Sequence, residues 1–343
     1  MKKILLATTM LAGTAGFASA EIAVTGWAEL GVWNNNSVNG SAVEGKDGVA
    51  FWQEFEVRFI GTGSSDNGLE FGAQIDLDET NVAVNDDSGT HVWISGAFGK
   101  LTLGDTDGTV DWATTDMDGG VASIADDHTT HTAFFGVNNF DQNGDGQVAR
   151  YENSFGDVAF AISIEQGSNG VVTGNYNEDG ELVSTNRKLD EIYGVGVRYN
   201  ADLGGTTVAL GLGYQDGGND FGKALGVSAA TQLSGGFAVA LGYVDYKKTD
   251  TATYVGKFGG YDNHIGLMLG YEAGPVAVSA NYGKVKLVNG AGNAKSWGAA
   301  ANYDLGGGAV VEFGYANDVR DVWAAAEGGK KVDQWSLGLG LTF

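Results

Sequence analysis

The sequence has no cysteine and only one proline, Pro275. Without cysteine the chain can form no disulfide bond, so an exported protein of this size has to be stabilised by its fold alone. The same absence excludes thiol catalysis and any metal site that is built on cysteine ligands.

Basic residues and long apolar segments are also scarce. The chain has 19 lysines and arginines against 43 acidic residues, and its formal net charge is −24. Nucleic acid is therefore not an expected partner, because a phosphate backbone binds positively charged surfaces. Beyond the first twenty residues, no run approaches the roughly 20 apolar residues that a transmembrane helix requires.

The N-terminal segment has the features of a secretory signal. Lys2 and Lys3 precede an apolar stretch over residues 4–17, and Ala18-Ser19-Ala20 supplies the small residues of a cleavage site. We therefore expect residues 1–20 to be a signal peptide that is cleaved after Ala20, and residues 21–343 to form one mature domain.

Glycine and aromatic residues are abundant. The chain has 57 glycines, 8 tryptophans, 13 tyrosines and 16 phenylalanines. Disordered acidic chains lack aromatic residues, so this composition argues against disorder. It favours a large all-β structure with many turns.

Apolar and polar residues alternate with a period of two over many segments, as side chains of a β-strand do. The apolar phase is clearest in the C-terminal half, over Val208, Leu210, Leu212 and Tyr214; Phe237, Val239, Leu241 and Tyr243; Ile265, Leu267, Leu269 and Tyr271; Val276, Val278, Ala280 and Tyr282; and Trp335, Leu337, Leu339, Leu341 and Phe343. The polar faces are too many and too charged for a filled soluble barrel. We therefore predict that the apolar face points outward to lipid and that the polar face points inward.

Connections between these segments alternate in length. Seven short turns are predicted near residues 62–68, 97–99, 154–157, 201–205, 233–236, 272–275 and 304–308, and eight long polar loops near 34–50, 79–90, 105–147, 166–189, 216–222, 247–262, 285–294 and 317–333. Short periplasmic turns, long external loops and an even strand number are typical of outer-membrane barrels. We predict an all-β fold, a 16-stranded antiparallel transmembrane β-barrel with both termini on the periplasmic side.

Tyrosines lie near the predicted strand ends on the apolar face. Four are expected at the external rim and three at the periplasmic rim, namely Tyr214, Tyr243, Tyr282 and Tyr315, and Tyr199, Tyr271 and Tyr303. Tyrosine presents an apolar ring and a polar hydroxyl, which suits the boundary between membrane and water. This placement predicts two aromatic girdles.

Three segments and the C-terminus resemble a known family. They are Glu21-Ile22-Ala23-Val24-Thr25-Gly26, residues 96–105 (GAFGKLTLGD), residues 149–156 (ARYENSFG) and the terminal Phe343 of an alternating strand. In these features the chain resembles the sixteen-stranded general-diffusion porins of Gram-negative bacteria, especially the Rhodobacter-type group. The resemblance implies a homotrimer, with the third long loop folded into the barrel as a constriction.

The loop over about residues 105–147 is the one that the resemblance assigns to the constriction. It is rich in aspartate, with Asp105, Asp107, Asp111, Asp116, Asp118, Asp126, Asp127, Asp141 and Asp145. Candidate basic partners on lumen-facing strand positions are Arg58, Arg150 and Arg198. Carboxylates that face arginines across a narrow pore would create a transverse field for polar solutes. The competing interpretation is that these are solvated loop and wall charges. Because acidic residues outnumber the arginines, we expect a weak to moderate preference for cations.

Residues 141–152 match the pattern of a calcium-binding EF-hand loop, with oxygen-bearing side chains at positions one, three and five, glycine at six and Glu152 at twelve. The porin register makes residues 148–153 a strand, so the second helix of an EF-hand is missing and Glu152 is expected in the wall beside Arg150. A partial Ca²⁺ site from Asp141, Asn143, Asp145 and the Gln147 carbonyl remains open, and a Gly/Asp-rich turn is the alternative. No cofactor is required.

Enzymatic chemistry has little support in the sequence. Four loop residues could assemble a divalent-metal site, namely Asp126, Asp127, His128 and His131, but the sequence predicts no helix or strand that would fix their spacing, and solvated loop residues are the favoured interpretation. No serine–histidine pair can be assigned. The leading hypothesis is a non-enzymatic porin in the outer membrane of a Gram-negative bacterium, in contact with membrane lipid and lipopolysaccharide. It would pass small hydrophilic solutes and ions by passive diffusion. The alternative is an exported soluble Ca²⁺-binding β-protein or adhesin.

Overall fold

The computed structural model describes residues 21–34, 37–38, 41–42, 48–80, 83–85, 89–117, 121, 123–125, 146–167, 169–176, 182–247, 261–288, 292–318 and 332–343. The predicted signal peptide lies outside these residues.

Sixteen strands build one closed antiparallel sheet. They are β1 (Glu21–Asn34), β4 (Val49–Ser64), β5 (Glu70–Thr80), β7 (His91–Gly96), β8 (Gly99–Gly104), β9 (Val148–Phe155), β10 (Val158–Glu165), β13 (Ile192–Asp202), β14 (Thr207–Asp216), β15 (Lys223–Gln232), β16 (Phe237–Lys247), β17 (Tyr261–Ala273), β18 (Val276–Leu287), β19 (Asn293–Gly306), β20 (Ala309–Asp318) and β21 (Val332–Thr342). The remaining described strands are β2 (Ser37–Val38) with β3 (Ser41–Ala42), β6 (Ala83–Asn85) beside β5, and β11 (Asn169–Tyr176) with β12 (Leu182–Lys188). Two short helices are described, α1 (Thr109–Ala113) and α2 (Gly218–Phe221).

The first and last strands close the barrel. β1 pairs antiparallel with β4 on one side and with β21 on the other. Gly26 N donates to the Phe343 carbonyl at 2.8 Å, and Phe343 N donates to the Gly26 carbonyl at 2.9 Å. The predicted sixteen-stranded barrel is therefore confirmed, and all seven predicted short turns join neighbouring strands.

The two faces of the strands differ as the alternation predicts. Leu210, Leu241 and Leu267 are 46%, 48% and 39% exposed on the outside of the sheet. Leu339 belongs to the same phase but is less exposed than these three, since its side chain is half-buried. A closed sheet leaves no backbone edge unpaired, so an apolar outer surface is compatible with lipid. Among the described residues, no helix is long and apolar enough to span a membrane.

The inner face is divided into two unlike parts. From β13 to β19 it carries buried small residues, including Gly194, Gly196, Gly211, Gly213, Ala224, Gly226, Ser228, Ala240, Gly242, Ala277, Ser279, Gly283, Ala294, Ser296, Gly298 and Ala300. From β1 to β10 the inner face carries many charged residues, including Glu29, Glu56, Arg58, Asp76, Lys100, Arg150, Glu152 and Glu165. The small-residue part leaves room along the wall that larger side chains would fill.

Candidate functional site: the barrel lumen

The polypeptide that follows β8 turns into the lumen. We call its described part, residues 105–117, 121 and 123–125, the inward segment. At its start, Asp105 N donates to the Thr90 carbonyl at 2.9 Å, and Gly89 N donates to Asp105 Oδ2 at 2.7 Å. Asp105 therefore fixes the root of the segment to the connection before β7.

Helix α1 lies directly on the glycines of the inner wall. A Cβ atom built on Gly213 would lie 2.5 Å from Val110 Cα, and one on Gly196 would lie 2.7 Å from the Thr109 carbonyl oxygen. A Cβ on Gly211 would overlap the Ala113 carbonyl. Real Cβ atoms do not approach this closely, so these glycines let two backbones meet.

Beyond the helix, the segment continues along the small-residue wall. Val110 and Met117 are fully buried in an apolar cluster with wall residues Ile192, Ala224, Ala240, Val244, Tyr246 and Met268. Thr115 N donates to Ser228 Oγ at 2.9 Å, and Val121 packs on Ala277 and Ala300. The segment thus follows the wall from β8 as far as β19.

The far described end of the segment is held on β1. Ala125 N donates to Glu29 Oε2 at 3.1 Å, and Trp52 Nε1 donates to the same oxygen at 2.8 Å. A Cβ atom built on Gly31 would overlap Ile124 Cδ1, so the isoleucine side chain packs directly against this glycine. Ala125 has a φ of 53°. A left-handed alanine costs about 1–2 kcal/mol, so the contacts around it have to compensate for that strain.

Arg58 is surrounded by carboxylates of the wall. Its Nη2 lies 2.7 Å from Glu56 Oε1, and its Nε lies 3.0 Å from Asp76 Oδ1. Trp27 Nε1 donates to the other oxygen of Glu56 at 2.6 Å. The group of Arg58, Glu56 and Asp76 carries a net negative charge when all three are ionised.

Arg150 connects the wall to the inward segment. Its Nη1 donates to the Asp107 carbonyl at 2.6 Å and lies 3.5 Å from Asp107 Oδ2, while its Nε lies 3.5 Å from Glu152 Oε2. Lys100 Nζ lies 3.7 Å from the other oxygen of Glu152. Glu152 is therefore shared between two cations, and it lies beside Arg150 in β9 as predicted.

Arg198 has a different environment. Its guanidinium carbon lies 4.2 Å from the centroid of the Trp112 ring, in a cation–π contact. Its charged neighbours are Arg150, Glu152, Asp107 and Asp111. Arg198 borders two cavities of the lumen, of about 790 and 620 Å³.

The predicted constriction residues occupy different positions in the lumen. Asp105 anchors the segment and Asp107 contacts Arg150. Asp111 is half-buried in α1, whereas Asp116 is exposed and lines the larger cavity. The other predicted carboxylates, Asp118, Asp126 and Asp127, lie outside the described residues. The three predicted arginines all lie on the inner face, but the described ion pairs of Arg58 are with the wall rather than with the loop.

The candidate calcium loop lies almost entirely outside the described residues, since Asp141, Asn143 and Asp145 are among those not described. Gln147 is described and exposed. Gly146 N donates to Glu165 Oε1 at 3.1 Å, which ties the end of the loop to β10. Within the described residues, no group of three or more histidine or acidic side chains is placed to hold a metal ion.

Sequence reasoning did not single out Glu29, Asp76, Trp112 or the lumen-facing glycines. Each of them lies on an inner strand position or inside the long loop. The glycine-rich phase of residues 194–213 was visible in the sequence, but only the chain path shows which segment rests on it.

Comparisons with known proteins agree with this architecture. A family model described as Gram-negative porin matches residues 7–321. A porin from Rhodobacter capsulatus is 36% identical over 85 residues, and the aligned region covers 25% of this chain and 25% of that protein. The chain thus matches only a quarter of that relative's length.

Solved porin structures share the fold. A variant of the Rh. blastica porin has a TM-score of 0.64 at 15% identity, over 94% of this chain and 100% of that chain. An anion-selective porin from Comamonas acidovorans has a TM-score of 0.60 at 12% identity, over 95% of this chain and 100% of that chain. At these identities the structures establish the fold alone. The family model matches residues 7–321, which is most of the length of this chain, so the chain belongs to the Gram-negative porin family.

Proposed function

We propose that the protein forms a water-filled channel for the passive diffusion of small hydrophilic solutes and ions across the outer membrane of a Gram-negative bacterium. One observation carries this proposal. A single closed barrel has an exposed apolar outer face, a charged inner face and a chain segment packed inside it. The rival proposal, a soluble calcium-binding protein or adhesin, does not explain why apolar side chains cover the outside.

We further propose that the pore weakly prefers cations. The described ion pairs place Arg58, Arg150 and Lys100 among four carboxylates, those of Glu56, Asp76, Glu152 and Asp107. Charges at the pore mouths are screened beyond about 8–10 Å at physiological salt, so the inner wall should dominate. The preference should therefore strengthen as the salt concentration falls.

Planar-bilayer recording tests both proposals. The purified protein should produce stepwise conductance increases in KCl, and the reversal potential under a KCl gradient should have the sign of K⁺ preference. Replacing Glu56 and Asp76 by glutamine and asparagine should reduce that preference more than replacing Asp202 and Asp304, which lie at short turns. An absence of conductance would overturn the channel, and an anion-selective wild type would overturn only the electrostatic argument.

Residues 1–20 would direct export and be removed after Ala20. The mature chain would assemble as a homotrimer whose outer surface contacts lipid and lipopolysaccharide. Amino-terminal sequencing of the membrane-inserted protein tests the cleavage site, since a start other than Glu21 would contradict it.

A further inference from the structure

The guanidinium group of one arginine in the lumen lies over an aromatic ring. Arg198 lies on the inner phase of β13, and Trp112 of α1 packs against Ala159 and Ala161 of β10. A Cβ on Gly196 would lie 3.3 Å from the Trp112 ring, so the glycine lets the ring lie close to the wall. An aromatic ring at a guanidinium group occupies none of its N–H groups, which remain able to donate hydrogen bonds.

Arg198 also differs from the other arginines of the lumen in its partners. Arg58 and Arg150 each contact two carboxylates. In the part of the chain that the structure describes, Arg198 forms no ion pair, and two of its acidic neighbours, Asp107 and Glu152, contact Arg150. A guanidinium with available N–H groups can bind a carboxylate through two parallel hydrogen bonds.

The larger cavity beside Arg198 combines apolar walls with opposite charges. Its apolar lining includes Ala113, Ala209, Ala230, Ala238, Met268 and Ala277. Asp116 of the inward segment lines the same cavity and is exposed to it. The volume of about 790 Å³ is ample for a small organic solute.

We propose that this cavity is a binding site for small zwitterions with an apolar body, that is, for apolar α-amino acids. Arg198 binds the carboxylate, Asp116 faces the ammonium group, and the alanines and Met268 contact the side chain. A zwitterion carries no net charge, so the acidic lumen does not exclude it as it excludes a simple anion. The inference rests on the proposed channel function and names a solute class for it.

Four probes separate the three parts of the site. L-leucine carries all three groups, glycine lacks the apolar body, 4-methylpentanoate lacks the ammonium group, and 3-methylbutylamine lacks the carboxylate. Each probe is titrated while the single-channel K⁺ conductance is measured in 50 mM KCl. At this salt concentration the Debye screening length is about 14 Å. Leucine should reduce the conductance at a concentration roughly tenfold below that needed for each of the other three probes. Each of those probes lacks one contact, and the loss of one contact should weaken binding about tenfold.

Variants identify the residues. Arg198→Gln should raise the half-blocking concentration of leucine about tenfold, with Arg198→Lys in between, because lysine keeps the charge but loses the planar donor pair. Ala238→Leu should weaken the block by leucine but not by glycine. Ala23 lies on the inner phase of β1 and does not line this cavity, so Ala23→Leu is the matched control and should leave leucine block unchanged.

Asp116→Asn should change the block by two of the probes in opposite directions. It should weaken the block by leucine, which loses its ammonium partner, and strengthen the block by 4-methylpentanoate, which is no longer repelled. A conducting channel on which leucine has no more effect than glycine, or on which Arg198→Gln changes nothing, overturns the inference and leaves the channel function standing. If the protein does not conduct in KCl alone, the proposed function itself fails.

Discussion

At the scale of single residues, the lumen is organised by a few polar contacts with unequal roles. Arg58 and Arg150 are each held by two carboxylates, whereas Arg198 rests on an aromatic ring. Glu29 is the residue that holds the far described end of the inward segment, through Ala125 N. Glu29 accepts hydrogen bonds from Ala125 N and Trp52 Nε1. Removing its carboxylate would leave both N–H groups without an acceptor, which is costly for buried donors.

Replacing Glu29 tests this anchor. Glu29→Ala should detach the end of the segment, at a cost of about 1–3 kcal/mol for the unsatisfied donors. We expect more current noise in the open channel in planar bilayers, with a smaller effect for Glu29→Gln, which keeps an acceptor oxygen. Glu54→Ala is the matched control, because Glu54 pairs with Glu29 across the β1–β4 ladder. Equal noise in Glu29→Ala and Glu54→Ala would show that only the lost charge matters.

At the scale of elements, helix α1 is held on the wall by contacts that only glycine permits. A side chain at Gly211 would overlap the Ala113 carbonyl, and the inward segment is tethered on either side, at Asp105 and at Ala125. A helix of five residues has little intrinsic stability, so its place depends on this packing.

Gly211→Val tests the role of the glycine wall. The added side chain should push α1 toward the pore axis, because its tethers prevent it from leaving the lumen. We expect a lower single-channel conductance and a loss of about 1–3 kcal/mol in stability, as for other overpacked sites. Gly61→Val in β4 is a suitable control, since a Cβ at Gly61 meets only the Ala73 carbonyl, at 4.0 Å. Unchanged conductance in Gly211→Val would contradict the tethered geometry.

The outer face of a strand can be tested separately from its inner face. Leu210→Arg introduces a charge on the outside of β14 and should cost about 2–4 kcal/mol if the position is near the bilayer midplane. Ala209, the preceding residue, points into the lumen beside a cavity. Ala209→Arg should therefore destabilise the barrel less than Leu210→Arg. Urea titration of folding into lipid vesicles measures both variants. Equal costs would mean that the two faces are assigned wrongly.

The loop before β9 carries the calcium prediction. If Asp141, Asn143, Asp145 and the Gln147 carbonyl bind Ca²⁺, a chelator should change conductance or protease resistance near residues 138–146 in the wild type. Asp141→Ala should show the chelated behaviour without a chelator. Identical behaviour of both proteins in either condition would leave the Gly/Asp-rich turn as the explanation.

At the scale of the whole molecule, closure of the sheet removes its edges and places every barrel strand between two neighbours. Such a barrel can associate with copies of itself through side chains alone. We predict a homotrimer for the detergent-solubilised protein, measured by native mass spectrometry. A monomer under conditions that preserve conductance would show that one barrel is the functional unit.

Much of the architecture follows from local patterns in the sequence. A period of two over short segments determines which residues share a face, and turn residues such as Gly235 and Gly236, both with positive φ, determine where the strands end. The sixteen strands, the inner position of Arg58, Arg150 and Arg198 and the bounds of the long loop all follow from such short-range signals. A strand phase depends only on neighbours in the chain, which the sequence contains directly.

Partners across the lumen were decided only by the tertiary structure. The contact between Glu29 and Ala125 joins residues 96 positions apart, and nothing local to either residue predicts the other. The cation–π contact between Arg198 and Trp112 likewise depends on where the inward segment lies along the wall. That path is selected by the fit of backbone to glycines on several strands at once. The sequence by itself therefore determined which residues face the pore, whereas closure of the barrel and packing of the loop decided which of them meet.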